Sequence, residues 1–109
     1  MNYNIVNTPE FAKEIKKLLK KYPTFKNELV NLKSSLENNP FQGTSLGNNV
    51  FKIRLSIKSK VAGKRGGARV ITFIEVKDSQ IVLVSIYDKS DQETITIKVI
   101  NERIKNFLS

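Results

Sequence analysis

The chain has 109 residues, enough for one small core, and is read as a single domain over residues 1–109. Lys and Arg number 19 against 10 Asp and Glu, a formal charge of +9, which points to a polyanionic partner. Cysteine and histidine are both absent. That excludes disulfides, thiol nucleophiles, zinc–thiolate sites and the usual imidazole base. Any catalysis then falls to Lys, Arg, Tyr, Asp, Glu or a hydroxyl, with no metal or cofactor expected.

Residues 3–6 read as a short first strand. Thr8-Pro9-Glu10 opens a helix with a hydroxyl cap, a proline at the first helical position and an acid in the first turn. Phe11, Ile15, Leu18, Leu19 and Tyr22 follow at helical spacing, and Lys13, Lys16, Lys17, Lys20 and Lys21 fill the remaining surface. Tyr22-Pro23 ends this helix, Thr24 is placed to cap the next, and Phe25, Leu29, Leu32 and Leu36 continue it up to Asn39-Pro40. The short turn between the two predicts an antiparallel hairpin. Residues 41–49 read as a Gly/Asn/Ser-rich loop.

From Phe51 the period becomes two. Phe51, Ile53, Leu55 and Ile57 face one way, while Lys52, Arg54, Ser56 and Lys58 face the other. Residues 60–67 read as a hairpin loop, 70–76 as an apolar central strand, and 81–87 as a third strand. Ile97, Ile100, Ile104, Phe107 and Leu108 mark a closing helix starting near Thr94 or Thr96. The order β-α-α-β-β-β-α predicts an α+β fold: a small antiparallel sheet with two N-terminal helices on one face and a short C-terminal helix. No apolar run approaches the roughly 18 residues of a membrane span, and Met1 to Val6 lacks a signal-peptide core. A cytoplasmic protein without membrane contact is expected.

No acidic residue lies between Glu37 and Glu75, yet that stretch holds Lys52, Arg54, Lys58, Lys60, Lys64, Arg65 and Arg69. If the strands pair in sequence order, Lys52, Arg54, Arg69, Tyr87 and Lys89 line one concave face opposite the helices. Such a face suits RNA phosphodiester chemistry, because guanidinium and ammonium groups stabilise the charge that builds on the non-bridging oxygens. Crowded cations also lower a lysine pKa, which would let a lysine serve as base.

The residues that carry a resemblance are Phe51-Lys52-Ile53-Arg54, then Gly63-Lys64-Arg65-Gly66-Gly67-Ala68-Arg69-Val70-Ile71, then Ile86-Tyr87-Asp88-Lys89-Ser90. Lys20-Lys21-Tyr22-Pro23 and Asn39-Pro40 fit the same pattern. With them the chain resembles the RelE-like toxins of bacterial type II toxin–antitoxin modules, in the RelE/ParE superfamily, and within it the HigB-type branch. The resemblance implies a RelE-like fold and a ribosome-dependent mRNA endonuclease that cleaves by 2′-hydroxyl attack. It implies Arg54 and Arg69 as transition-state stabilisers, Lys52 as base, and Tyr87 or Lys89 in proton transfer or base stacking. Lys58, Lys60, Lys64 and Arg65 would hold RNA, and Lys13, Lys16, Lys17, Lys20 and Lys21 would meet the 70S ribosome. The implied partners are mRNA, the ribosome and a cognate antitoxin with a helix-turn-helix domain, so that DNA is met only through the antitoxin. Some members of the HigB branch use a histidine that this chain lacks.

Other readings of the same residues stand beside this one. Lys52, Arg54 and Lys58 also fit a solvated strand face, Lys58 and Lys60 fit protection of a sheet edge, and the helix lysines fit a solvated helix. Tyr87 also fits a core tyrosine with its hydroxyl at the rim. A ParE-like gyrase inhibitor and a non-catalytic RNA- or antitoxin-binding relative are the alternative functions.

Overall fold

The computed structural model describes residues 3–57, 67–91 and 94–109. The elements are β1 (Asn4–Asn7), α1 (Pro9–Lys21), a 3-10 turn (Pro23–Phe25), α2 (Lys26–Asn38), β2 (Thr44–Gly47), β3 (Val50–Leu55), β4 (Ala68–Glu75), β5 (Gln80–Asp88) and α3 (Ile97–Leu108). The expected α+β order is present. Thr8 caps α1, its hydroxyl accepting from Phe11 N at 3.1 Å, and Thr96 caps α3 in the same way. Thr24 does not cap α2: Pro23 sets a 3-10 turn first, and α2 starts behind Phe25 without a side-chain cap.

The loop expected at residues 41–49 contains β2. It is an edge strand paired antiparallel to β3, with a register shift between Ser45 and Gly47. Its glycines and asparagines hid it from propensity; Gly47, Asn48 and Asn49 all take positive φ, as a tight hairpin requires. The sheet runs β1-β5-β4-β3-β2, antiparallel except for β1, which pairs parallel to β5.

One face of the sheet packs under α1 and α2. Phe11, Leu18, Phe25, Leu32 and Leu36 meet Ile53, Val70, Ile74, Ile81, Leu83 and Ile86 in the larger core cluster. The second face was expected to be free of helices, and it is not. Ile100 and Ile104 of α3 join Val50, Ile71, Val82, Val84 and Tyr87 in a second cluster there. The apolar residues on both faces of β4 and β5 explain this: a strand apolar on both sides needs cover on both sides.

β5 carries an extra residue against β4. Ile71 pairs with Ser85, but Thr72 pairs with Leu83. β1 covers the outer edge of β5 only as far as Leu83. Beyond it, side chains take over the backbone groups. Thr8 donates to Val84 O at 3.2 Å, and Arg103 Nη1 donates to the same carbonyl at 3.2 Å. Glu14 Oε1 accepts from Ile86 N at 3.2 Å, Ser85 Oγ at 3.1 Å and Arg103 Nη1 at 3.1 Å. A bulge at an otherwise bare edge is thereby satisfied from α1 and α3 together.

Replacing Thr8 with valine keeps its shape but removes both the cap acceptor and the donor to Val84. The expected loss is about 1–3 kcal/mol, read as a lower urea midpoint at unchanged m-value. An unchanged midpoint would remove Thr8 from this account of the edge.

Candidate nucleic-acid interface

β3, β4 and β5 bring the separated basic residues together. Arg54 pairs directly with Arg69, and Arg69 pairs directly with Tyr87, so the three form one row across the sheet. Lys52 lies two residues away on β3, in the row of Ile71 and Ser85. Directly paired residues share a sheet face, with Cβ atoms about 4.5–5.5 Å apart in antiparallel pairs. Two arginines so placed repel each other, and an anion bound between them relieves that repulsion.

Simple alternation along β5 would group Tyr87 with Ile81 and Leu83, which pack toward α1 and α2. The bulge at Val84 and Ser85 reverses the parity, and Tyr87 falls instead in the cluster on the opposite face. The four residues differ in access. Arg54 is exposed and Lys52 half-buried, whereas Arg69 is 7% and Tyr87 4% exposed. Arg69 Nη1 donates to Ala68 O at 3.3 Å. Tyr87 Oη is buried without a hydrogen-bond partner among the described residues.

Lys89 stands just beyond β5, exposed, outside the cross-strand row. Its backbone N–H donates to Gly67 O at 2.9 Å, which ties the start of β4 to the end of β5. Gly67 has φ +77°, and a Cβ there would sit 2.6 Å from Leu55 O. Only glycine lets the chain enter β4 this close to β3. Lys58, Lys60, Lys64 and Arg65 lie outside the described residues.

The sequence reading missed the support of this end of the sheet. Asp88, buried beside Tyr87 in the chain, accepts from Tyr22 Oη at 3.2 Å, Ser90 N at 3.0 Å and Ser90 Oγ at 2.8 Å. It fastens the end of α1 to the end of β5 and fixes the turn that carries Lys89. A buried aspartate ending an apolar strand was the available signal, since such a group needs several donors.

Lys13, Lys16, Lys17, Lys20 and Lys21 are all exposed on α1, which packs on the other side of the sheet from the arginine row. Lys17 and Lys21 line a recess of about 230 Å³ together with Glu14, Asp88 and Asp91. Lys21 Nζ lies 3.1 Å from Asp91 Oδ2. The hydrogen bond and charge of Asp91 raise the Lys21 ammonium above the usual lysine value. Among the described residues no three His, Cys, Asp or Glu side chains are grouped to hold a metal, and no helix is long and apolar enough to cross a membrane.

No family model matches the chain, and no curated protein matches it in sequence. Among solved structures it is similar to a mutant of the Escherichia coli toxin RelE in the free state. That likeness has a TM-score of 0.62 at 16% identity and covers 97% of this chain and 98% of that one. The fold is RelE-like. The RelE-like architecture thus accommodates the basic row on the central strands, with the tyrosine at its end.

Gly67→Ala is expected to lower stability by about 1–3 kcal/mol, the range of a strained backbone position. Gly47→Ala, also at positive φ (+91°) but with nothing within 4 Å of the added Cβ, provides the comparison. A clash at Gly67 predicts the larger loss in thermal unfolding for Gly67→Ala; equal losses would reduce its role to backbone conformation alone.

Proposed function

We propose that this chain is the toxin of a type II toxin–antitoxin module, of the HigB-type branch, acting as a ribosome-dependent mRNA endonuclease in the cytoplasm. The observation that carries the reading is the row Arg54–Arg69–Tyr87 with Lys52 beside it on the same sheet face. The reading takes residues 1–109 as one toxin domain, with the likeness to RelE as its support.

In the reaction proposed, the RNA 2′-hydroxyl attacks the adjacent phosphorus and the 5′-oxygen leaves. The products are a 2′,3′-cyclic phosphate and a 5′-hydroxyl. Lys52 takes the 2′-hydroxyl proton as the candidate base. Arg54 and Arg69 stabilise the non-bridging oxygens, a role for which a rigid planar fork of donors is suited. Tyr87 or Lys89 delivers a proton to the leaving oxygen or stacks on a base. Without histidine no imidazole is available for proton transfer, so positioning by the ribosome supplies part of the rate.

The α1 lysines face another direction and are assigned to ribosomal RNA. Lys58, Lys60, Lys64 and Arg65 are assigned to the mRNA backbone. A cognate antitoxin with a helix-turn-helix domain completes the module and links the toxin to DNA.

The test is a map of mRNA 5′ ends in a translation extract given the purified protein. Cuts inside codons that depend on ribosomes are expected. Arg69→Ala should reduce them about 100- to 1,000-fold, as loss of one preplaced donor does elsewhere. Intact mRNA with a folded wild-type protein would overturn the reading, and an effect on gyrase supercoiling would then favour the ParE-like alternative.

Salt dependence separates phosphate contacts from a solvated strand face. For binding to single-stranded RNA, log K should fall with log salt, and Arg54→Ala should reduce the slope by about 0.7. An unchanged slope would assign Arg54 to solvation only.

A further inference from the structure

We propose that Glu14 is a positioning residue for the basic face: it selects the bulged register of β5 and so seats Tyr87, rather than Ile86, beside Arg69. The consequence for cleavage rests on the reading above; the selection of register does not.

Two registers of β5 compete. In the observed one Thr72 pairs with Leu83 and Ile71 with Ser85, which leaves Val84 as the extra residue and sets Tyr87 opposite Arg69. Slipping the end of the strand by one residue removes the bulge. Ile71 then pairs with Val84, Arg69 with Ile86, and Ala68 with Tyr87. The slip exchanges the faces: an isoleucine joins the arginine row, and the tyrosine turns towards α1 and α2. The ladder with β4 favours the slipped form, because a bulge interrupts it. A contact outside the ladder has to favour the observed one.

Glu14 supplies that contact. Leu83 O accepts from Thr8 N at 3.1 Å, so Leu83 turns its backbone groups outward, away from β4. In a regular strand the next outward residue is Ser85, and the Ile86 amide points in at β4. Here Ile86 N instead donates to Glu14 Oε1 at 3.2 Å. Glu14 thus binds an amide that only the bulged register presents. The same oxygen accepts from Ser85 Oγ at 3.1 Å.

Two variants separate acceptance from charge. Glu14→Gln and Glu14→Met match glutamate in length and remove its charge, but only glutamine keeps the acceptor. Nuclear Overhauser contacts report the register. In wild type and Glu14→Gln the Tyr87 ring should contact the Ile100 and Ile104 methyls of its cluster. In Glu14→Met the loss of two hydrogen bonds should shift the equilibrium about 30-fold towards the slipped register, seen as a second set of signals with Ile86 in the place of Tyr87. The same register in both variants would overturn the proposal.

A covalent lock gives a second test. Because the Ile86 amide points outward, Val70 and Ile86 are a non-hydrogen-bonded pair, and the Cα separation of about 4.5 Å in such pairs is within disulfide reach. The chain has no cysteine, so Val70→Cys/Ile86→Cys gives one defined disulfide. Oxidised, it holds the bulged register whatever residue 14 is. Glu14→Met in the oxidised protein should therefore leave Tyr87 in place. If Glu14→Met does not fold by itself, it must fold in the oxidised form; failure there would assign Glu14 to stability alone and overturn the proposal.

On purified, mRNA-programmed ribosomes without added thiol, Glu14→Met should lower kcat and leave KM unchanged, and the disulfide should restore kcat. A kcat indifferent to the slip would overturn the positioning role. No cleavage by wild type would overturn the cleavage reading, while the spectra still decide which register Glu14 selects.

Discussion

The arrangement depends on how the open edge of β5 is satisfied. β1 is too short to pair with the whole strand, and the strand bulges where β1 ends. The freed groups at Val84 and Ile86 cannot be left bare in a buried strand without destabilising it. Thr8, Glu14 and Arg103 meet them from three places in the sequence. One glutamate oxygen serves a backbone amide, a hydroxyl and a guanidinium at once, and so joins α1, β5 and α3. The orientation of Tyr87 follows from this patch. Without the extra residue, the tyrosine would point at α1 and α2 rather than lie on the basic face.

The basic row is an arrangement that folding alone does not favour. Arg54 facing Arg69 places like charges side by side, and Arg69 is nearly buried. The facing like charges oppose stability, and an anion that arrives later relieves them. The surrounding backbone supplies the rigidity that such a site needs. Gly67 brings β4 against β3 where a larger residue would strike Leu55 O, and Asp88 locks the opposite end of the row to Tyr22. Fixed donors on central strands need little reorganisation when negative charge develops near them.

Much of this was legible in the sequence. Alternation placed Lys52 and Arg54 on one face of a strand, helical spacing delimited α1 and α3, and Thr8 and Thr96 cap them. The likeness to RelE agrees with the fold expected from residue order and motifs. What was not legible has a common origin in tertiary pairing. Alternation counts residues and cannot see a bulge, so the side taken by Tyr87 was not readable. Propensity misjudged β2, because Thr44 to Gly47 forms a strand only by pairing with β3. Apolar residues on both faces of β4 and β5 did signal a second covering layer. The side on which α3 lies is set by tertiary packing, with Ile100 and Ile104 seated on Ile71, Val82 and Val84, and helical spacing does not encode it.

The bulge of β5 and the seat of α3 are connected through Glu14. The same carboxylate that satisfies the bulge, and thereby keeps Tyr87 on the basic face, also ties α3 to the sheet through Arg103. Arg103 binds both that carboxylate and the carbonyl at the bulge. Ile86 N and Ser85 Oγ share that carboxylate with Arg103, and Thr8 shares Val84 O with it. The bulge is thus held by three side-chain hydrogen bonds from α1 and its cap, and Arg103 adds two from α3. Two helices on opposite faces of the sheet therefore meet at the one strand edge that β1 leaves unpaired.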